Sequence, residues 1–409
     1  MSETPPSSDE FPSYPMTREP ACPFAPAARV REMTREDPVG KVRIWDGSTP
    51  WFVTRHADQR ALLNDPRLSI DEKRPGYPHM TRSRAASAPH HPALITNTDP
   101  PEHTRLRRTV NAPFMVKRVE ALRPRIQKVL DGLIDDMLAG PRPADLVQAI
   151  GLPVPTMVIT EILGAPYEDR LLFQTTSHTL ISHESTPEQA EAAAGALTGY
   201  LGDLFARRMA DPGDDVISEL AAKVRAGEMT APEAVTMASA ILIAGHETSA
   251  SMISLGTLAL LRNPDQLALL REKSDDPGFV ANAAEELLRY LTIVHSGIRR
   301  IANEDVELRG RVVQAGDGVI FELGGANYDA EEFPEPEKLD LRRPARQHHA
   351  FGYGAHQCLG QSLARVELQV VYGTLYRRIP TLALAVPFEQ VEFAMEGVAY
   401  GLRSLPVIW

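Results

Sequence analysis

The longest uninterrupted helical pattern in the chain lies between a capping signal and a proline. Thr230 and Glu233 have the spacing of a capping box, in which each side chain bonds the other residue's backbone N–H. From Glu233 the pattern continues without proline to Asn263-Pro264, which predicts a helix of about 30 residues and ~45 Å. Its middle, residues 238–253, is apolar almost all round. A helix of this kind has to be buried in a large core.

The remaining periodicity predicts a mainly α chain with a minor β region. Helices are expected at 118–138, 187–208, 277–291 and 359–378, and short strands at 42–45, 51–54, 306–313, 319–322 and 391–409. The turn 46–48 makes the first two strands a hairpin. Residues 72–97, with several prolines, are expected to form a long loop.

No repeat or linker divides the chain, so residues 1–409 are predicted to form a single domain, with residues 1–12 disordered. A net charge of −11 argues against a general nucleic-acid-binding protein. Two cysteines cannot form a disulfide framework, and no segment has the apolar length of a signal peptide or membrane span. We therefore expect a soluble, cytoplasmic protein.

One of these cysteines, Cys358, lies in the glycine-rich stretch Phe351–Gly360 just before a predicted helix. Free N–H groups at a helix start stabilise a thiolate, and the glycines permit a flat ligand to approach the backbone. A thiolate is one of the few axial ligands of haem iron in proteins. A buried structural cysteine is one alternative. A zinc site with His348, His349 and His356 is another, although the spacing matches no usual zinc pattern.

Two costly features interrupt the long helix at Ala244-Gly245-His246-Glu247-Thr248-Ser249. Glycine costs about 1 kcal/mol relative to alanine in a helix, and a buried unpaired carboxylate costs several kcal/mol. Thr248 could bond back to the carbonyl of Ala244, or it could hold a water or an oxygen ligand in an opened groove. Glu247 would then act as a proton relay. An ordinary helix with a polar facet remains the alternative.

Two further pairs have helical spacing. Glu286 and Arg289 are three apart, so their charges can pair on one face of a helix. His103 and Arg107 are four apart and are suited to bind an anionic group. In isolation, a chance surface pair and a solvated basic helix explain these patterns equally well.

Together and in this order, the four motifs resemble the cytochrome P450 family, and most closely the soluble actinobacterial 105-type enzymes. Residues 351–360 match every defined position of the family signature Phe-x-x-Gly-x-His/Arg-x-Cys-x-Gly, and residues 244–248 and 286–289 match two further motifs. The resemblance extends over almost the whole chain. It implies the cytochrome P450 fold, in which a long central helix and the cysteine-ligand loop sandwich a haem.

The resemblance also implies roles for individual residues. Cys358 would be the thiolate ligand of haem b, and Glu247 and Thr248 would deliver protons to iron-bound dioxygen. Glu286 and Arg289 would pair with Arg343. The other residues expected to contact the haem are His103, Arg107, Ala244, Arg300, Phe351 and His356. The residues expected to contact the substrate are Ile241, Leu242, Ile293, Val294 and Val398.

The implied reaction is O₂-dependent hydroxylation or epoxidation of an apolar small molecule, in secondary metabolism or on a xenobiotic. The chain has no Gly-x-Gly-x-x-Gly fingerprint and no four-cysteine set, so electrons are expected from a separate ferredoxin and ferredoxin reductase. Docking is expected on a basic patch of Arg105, Arg108, Lys117 and Arg365, with the enzyme as a monomer. A peroxygenase and a non-catalytic haem sensor are the rival functions.

Two positions depart from the family pattern. Ser249 stands where a second threonine is frequent, and Tyr328 replaces the arginine of Asn-Arg-Asp. Neither departure predicts a loss of activity.

Overall fold

The computed structural model describes residues 11–182, 185–395 and 397–409, and within them the predicted mainly α architecture with a minor β region is confirmed. In these residues the helices are α1 (Ala28–Glu36), α2 (His56–Leu62), α3 (Arg82–Ser87), α4 (Glu102–Val110), α5 (Val116–Ala139), α6 (Pro153–Leu163), α7 (Arg170–Ile181), α8 (Pro187–Ala210), α9 (Val216–Arg225), α10 (Ala231–Arg262), α11 (Pro264–Glu272), α12 (Pro277–Leu291), α13 (Leu323–Asn327) and α14 (Gln361–Arg378). The strands are β1 (Val39–Lys41), β2 (Trp51–Val53), β3 (Leu68–Ser69), β4 (Ala144–Asp145), β5 (Ile298–Ala302), β6 (Val306–Leu308), β7 (Arg311–Val313), β8 (Gly318–Phe321), β9 (Ala383–Leu384), β10 (Phe393–Ala394), β11 (Gly401–Leu402) and β12 (Pro406–Ile408).

The chain contains two compact units. The described part of the sheet unit comprises residues 11–100, Val294–Lys338 and His348–Gln357. The helical unit comprises Pro101–Ile293, Leu339–Gln347 and Cys358–Trp409, except for the residues outside the described ranges. That residues 1–409 form one domain stays a prediction.

The main sheet of the sheet unit has the strand order β1-β2-β8-β5-β3. Strands β2 and β8 run parallel, and the other neighbouring strands run antiparallel. Successive side chains of a strand point to opposite faces, so Ile320 packs with Phe52 in one apolar cluster while Val319 packs with Val53 in another. Along β5, Arg299 pairs with Ile320 of β8 and Arg300 pairs with Val319. The two arginines are adjacent in the strand and therefore lie on opposite faces of the sheet.

The predicted hairpin is present, but its first strand begins earlier than expected. Lys41 pairs with Trp51, and the N–H of Ile44 donates to the Ser48 carbonyl at 3.1 Å to close the turn. The loop expected over residues 72–97 is partly wrong, because α3 forms inside it with the Thr81 side chain as its N-terminal cap. Local capping therefore overcame the proline-rich composition.

The predicted disorder of residues 1–12 falls mostly on residues 1–10, which lie outside the described residues. Pro12 is described, and its carbonyl accepts a hydrogen bond from the Arg43 N–H at 2.9 Å. The last part of that prediction is therefore corrected.

The helical unit is built around α10, which has 32 residues and begins with the predicted capping box. Helices α6, α7, α8, α9 and α14 pack against it. Gly256 makes room for the Tyr372 ring of α14, since a Cβ at this position would overlap the phenol oxygen. The Tyr372 hydroxyl donates to the Met252 carbonyl at 2.5 Å, which ties the two helices together.

The remaining predicted elements agree with the observed ones to within a few residues, but some observed elements were not predicted. Helix α12 has the predicted bounds, α14 begins at Gln361 rather than at residue 359, and α11 was not predicted at all. Strand β5 was also missed, because its sequence carries two arginines and does not alternate between polar and apolar residues. Within the described residues, no helix has both the length and the apolar character needed to cross a membrane.

Candidate active site

Cys358 lies in the helical unit, three residues before the start of α14, and its side chain is exposed. Surrounding protein nevertheless raises the pKa of its thiol by burial, while the N–H of Gly360 and the guanidinium of Arg107 oppose that rise. Cys358 is therefore an exposed residue whose thiol lies in a crowded, partly cationic environment. This is the environment that a thiolate ligand of a metal needs.

The predicted pair on α4 lies in the same unit. His103 is buried, and Arg107 is half-buried and close enough to Cys358 to interact with its charge. Burial lowers the pKa of the Arg107 guanidinium, and the Cys358 thiolate raises it. The structure thus brings Arg107 and Cys358 together, although 250 residues separate them in the sequence.

Arg300 and His356 belong to the sheet unit. Burial lowers the pKa of Arg300 to about 10, so the guanidinium stays cationic at neutral pH. His356 Nδ1 lies 3.1 Å from the Ile95 carbonyl oxygen, which can only accept, so Nδ1 is the protonated nitrogen. Phe351 packs near the His348 ring, with centroids 5.7 Å apart.

The glycines of the cysteine loop do not all serve the same purpose. Gly352 and Gly354 have φ values of 68° and 78°, in the left-handed region that favours glycine. A Cβ on Gly354 would lie 2.7 Å from the Leu63 carbonyl oxygen. Gly360 has φ −81°, which any residue adopts, so its backbone conformation does not require glycine.

The polar motif of α10 leaves the helix continuous. The Thr248 hydroxyl donates to the Ala244 carbonyl at 2.8 Å, which is the back-bonded arrangement that the spacing predicts. Ala244 is exposed, although Leu242 and His246 on either side are buried. Gly245 has a packing role, because a Cβ there would lie 3.0 Å from Ile159 of α6.

Glu247 lies between two histidines. Its Oε1 atom is 3.6 Å from Nδ1 of His178 on α7 and 3.9 Å from Nδ1 of His246. The His178 side chain is 67% exposed, whereas His246 is buried and burial lowers its pKa. A chain of titratable groups therefore leads from an exposed imidazole to the carboxylate beside Thr248.

Glu367 is a buried acid that the sequence analysis missed. It lies on α14, and its carboxylate accepts a hydrogen bond from the Ser249 hydroxyl at 2.6 Å. Burial raises the pKa of Glu367 to about 7, although the hydrogen bond from Ser249 lowers it. The sequence carried a signal for this buried acid, because Glu367 stands between the apolar residues Val366 and Leu368 of the last predicted helix.

Changing Glu367 to glutamine should remove part of the pH dependence of stability. Because folding raises this pKa from an ordinary 4.5 to about 7, the folded state binds the proton more tightly, and wild-type stability falls as pH rises through this window. E367Q should match wild type near pH 4 and exceed it near pH 8.5 by up to about 3 kcal/mol. Thermal midpoints at the two pH values measure the difference. The exposed Glu191→Gln on α8 is the control, and an equal E367Q effect at both pH values would contradict the assignment.

Glu286, Arg289 and Arg343 form one network in the helical unit. The side chains of Glu286 and Arg289 are both 0% exposed and form a two-bond ion pair, with N–O distances of 2.7 and 2.8 Å. Arg343 Nε adds a contact of 3.2 Å to Glu286, and the backbone N–H of Asp340 donates to the same carboxylate at 3.0 Å. The pair is therefore a buried structural element and not a chance surface contact.

The residues expected to contact substrate have different environments. Ile241 and Ile293 are largely buried in the helical unit, Val398 of the same unit is half-buried, and Val294 is half-buried in the sheet unit. Leu242 is completely buried and offers no surface to a substrate. That prediction is corrected, and Leu242 belongs to the core.

The predicted basic patch is smaller than expected. Arg105 pairs with Glu102 and Glu233, and Arg365 pairs with Glu285, with the closest Arg365–Glu285 contact at 2.6 Å. Arg108 and Lys117 remain exposed. The charges of Arg105 and Arg365 are therefore already neutralised within the helical unit.

The two positions that depart from the family pattern, Ser249 and Tyr328, lie in hydrogen-bonded surroundings. Ser249 retains a hydroxyl group, which bonds Glu367. Tyr328 is buried, and its neighbours Asn327 and Asp329 accept hydrogen bonds from the backbone N–H groups of His349 and His56. The zinc alternative has no ligand set, since no three His, Cys, Asp or Glu side chains in the described ranges are placed to hold a metal ion.

Comparison with known proteins agrees with this arrangement. A family model described as Cytochrome P450 matches residues 278–384. Over 404 residues the chain is 52% identical to Cytochrome P450 GfsF of Streptomyces halstedii, covering 98% of this chain and 97% of the relative. The chain belongs to the cytochrome P450 family. This P450 also superimposes on the crystal structure of GfsF with a TM-score of 0.91, covering 97% of its own residues and 100% of GfsF.

Two other relatives cover the P450 equally well. Cytochrome P450 CYP105Q4 of Mycobacterium marinum is 48% identical over 409 residues, which is 100% of this chain and 99% of the relative. Mycinamicin VIII C21 methyl hydroxylase of Micromonospora griseorubida is 39% identical over 397 residues, which is 97% of this chain and 99% of the relative. The P450 fold and the 105-type resemblance are confirmed, and family membership implies an enzyme that uses haem iron and O₂.

Proposed function

We propose that this P450 monooxygenase hydroxylates or epoxidises an apolar secondary metabolite, or a xenobiotic of similar character, with electrons from a ferredoxin. The observation that carries the proposal is the turn Ala244–Thr248 of α10. Ala244 is exposed although Leu242 and His246, two positions away on either side, are buried, and the acid and alcohol that follow it lie on the same stretch of helix. An ordinary core helix has no need of this arrangement.

The donor set of the chain fits haem b. Cys358 offers a thiol on an exposed residue, and Arg107 and Arg300 are cations suited to carboxylate side groups. Ala244 offers an exposed apolar surface. When bound, the haem supplies the binding and reductive activation of O₂. The residues that we assign to haem binding are His103, Arg107, Ala244, Arg300, Phe351, His356 and Cys358.

The residues of α10 have to supply protons to this reaction. The Thr248 hydroxyl donates to the Ala244 carbonyl, and its oxygen lone pairs remain able to accept from a water or an oxygen ligand. Glu247 lies on the next position along the helix and is close to the exposed His178 imidazole. We assign Glu247 to proton transfer from solvent and Thr248 to positioning the last donor.

Changing Thr248 to alanine should uncouple electron use from product formation. Without the hydroxyl, the proton donor at the reacting oxygen is no longer positioned. The amount of product formed per reducing equivalent should therefore fall by about tenfold or more, while the enzyme continues to consume reducing equivalents. Thr248→Ser should restore most of the coupling. Thr236→Ala, on the same helix outside the motif, is the control. An unchanged product yield in T248A would refute the proton-delivery role.

A ferredoxin is the proposed electron donor. Arg108 and Lys117 are exposed, and Met115 and Val116, just before Lys117, are 58% and 65% exposed. Exposed apolar residues beside cations suit an acidic partner, since charge steers the encounter and apolar contacts add affinity. Peroxide-driven turnover that exceeds ferredoxin-driven turnover would favour the peroxygenase alternative. The monomeric state and the cytoplasmic location stay predictions.

Largely apolar residues carry the substrate proposal. Ile241, Ile293, Val294 and Val398 would line an apolar binding region, and one relative is by name a methyl hydroxylase of mycinamicin VIII. We propose a medium to large apolar substrate on this basis. Spectral titration of the holoenzyme with macrolide, terpenoid and steroid-like compounds tests the proposal, which fails if only small polar molecules bind.

A further inference from the structure

The sheet unit contains a cavity of about 280 Å³ that none of the assigned roles explains. Residues of the 72–97 segment line most of it, and Arg299 of β5 lines the rest. The charged and polar groups on its wall are Glu72, Tyr77, His79, Arg84, Asn97 and Arg299. No residue that we assign to haem binding is among the lining residues.

Two guanidinium groups on this wall, those of Arg84 and Arg299, form no ion pair with a described carboxylate, although Glu72 is near enough to attract Arg84. Among the residues that the structure describes, no carboxylate lies within ion-pair distance of Arg84 or Arg299, and neither guanidinium donates a hydrogen bond to another group. Burial lowers the pKa of Arg84 and repulsion from Arg299 lowers it further, while attraction to Glu72 opposes both effects. Two cations that face one cavity and repel each other would be stabilised by an anion between them.

The acidic residue of the cavity does not fill this role. Glu72 accepts a hydrogen bond from Asn97 at 3.0 Å, and its carboxylate lies 2.8 Å from Nδ1 of His91. Burial raises the pKa of Glu72, but the contacts with His91 and Asn97, with a smaller contribution from Arg84, outweigh it and bring the pKa down to about 2. Glu72 is therefore ionised and already bonded to other groups, and the cavity keeps an excess of positive charge.

The position of Arg299 separates this cavity from the predicted haem contacts of the sheet unit. Arg299 and Arg300 are neighbours on β5 and project to opposite faces of the sheet. Arg300 is the residue assigned to the haem. An anion at Arg299 would therefore lie on the other face from Arg300.

We propose that this cavity binds the carboxylate or phosphate group of a small molecule through Arg84 and Arg299. A water molecule occupies about 30 Å³ of liquid, so the space is sufficient for such a group and a short apolar stem. Met80, Pro92 and Leu94 supply apolar wall for the stem. The anion could be the acidic end of the oxidised substrate or a separate small molecule, and the proposal does not depend on the assigned reaction.

Arg84 is the residue to change, because it lies on the short, exposed helix α3. Arg84→Gln removes the charge, and Arg84→Lys keeps the charge but loses the two-pronged geometry. Arg82→Gln is the matched control, since Arg82 lies on the same helix and does not line the cavity. Arg299→Gln tests the second cation, and equal thermal midpoints show that each variant is folded.

The experiment has two arms on the holoenzyme at constant ionic strength. Calorimetric titration with inorganic phosphate measures a separate anion, and spectral titration with decanoate against decanol measures the acidic end of a substrate. R84Q and R299Q should weaken anion binding by about 10- to 100-fold, R84K should be intermediate, and R82Q should match wild type.

Each result has a defined meaning. A preference for decanoate over decanol in the haem spectrum, lost in R84Q, supports the proposal and identifies the anion as part of a substrate. Phosphate binding without a spectral change, weakened in R84Q, supports the proposal with a separate anion. The proposal is overturned if wild type binds neither phosphate nor decanoate in preference to decanol, or if R84Q binds them as tightly as wild type does.

Discussion

Replacing Cys358 with serine should abolish the red-shifted ferrous–CO absorption band and lower product formation by about 10³-fold, a loss of about 4 kcal/mol of transition-state stabilisation. A thiolate donates electron density to haem iron and favours O–O cleavage, which a serine hydroxyl cannot do because it stays protonated. The guanidinium of Arg107 and the N–H of Gly360 are placed to stabilise negative charge on sulfur against the effect of burial.

Cys22→Ser is the matched control for this experiment. Cys22 is the other free cysteine, and it lies in the sheet unit far from Cys358 in the sequence. Its replacement should leave the spectrum and the activity unchanged. A red-shifted band that persists in folded, haem-loaded C358S would show that another residue is the ligand.

Replacing Glu286 with alanine should destabilise the protein by about 3–5 kcal/mol and reduce the yield of haem-loaded enzyme. Arg289 is 0% exposed, so loss of Glu286 leaves a buried charge without its main partner. Arg343 and the N–H of Asp340 would lose their acceptor as well. Denaturant and thermal midpoints of the purified protein measure the effect.

The chain offers a close control for this variant. Glu120 and Arg123 on α5 have the same i,i+3 spacing, but they lie on the exposed surface. Glu120→Ala should therefore change stability by at most about 1 kcal/mol. If E286A folds too poorly for measurement, Glu286→Gln takes its place, because its amide keeps one hydrogen-bond acceptor. Its loss of stability should lie between the losses caused by E286A and E120A. Equal effects of E286A and E120A would show that burial does not strengthen the network.

Much of the fold could be predicted from local signals. Thr230 and Glu233 define the start of α10, Pro264 follows its end, and Pro277 marks the start of α12. These signals act through the backbone hydrogen bonds of adjacent residues, so they do not require knowledge of distant contacts. Helix α3 and strand β5 were missed because a proline-rich composition and a pair of arginines concealed them.

In the candidate site, too, some residues could be predicted from local sequence, whereas other features depend on the tertiary structure. Cys358, Glu247 and Thr248 were found because their residue types are costly or rare where they stand, and a single stretch of sequence shows this. The burial of Leu242, the pairing of Arg365 with Glu285 and the Ser249–Glu367 hydrogen bond were not predicted. Each depends on which side chain of another helix comes close.

The sequence by itself determined the family and predicted the thiolate ligand and the acid–alcohol pair, because each motif consists of residues that are near neighbours along the chain. Only the tertiary structure decided which charges are neutralised, which acid is buried and has a raised pKa, and which arginines face an open cavity. Arg84 and Arg299 are more than 200 residues apart in the sequence, and their shared cavity exists only after β5 has packed beside the 72–97 segment. Burial and electrostatic interaction depend on distances in space, which local patterns do not contain.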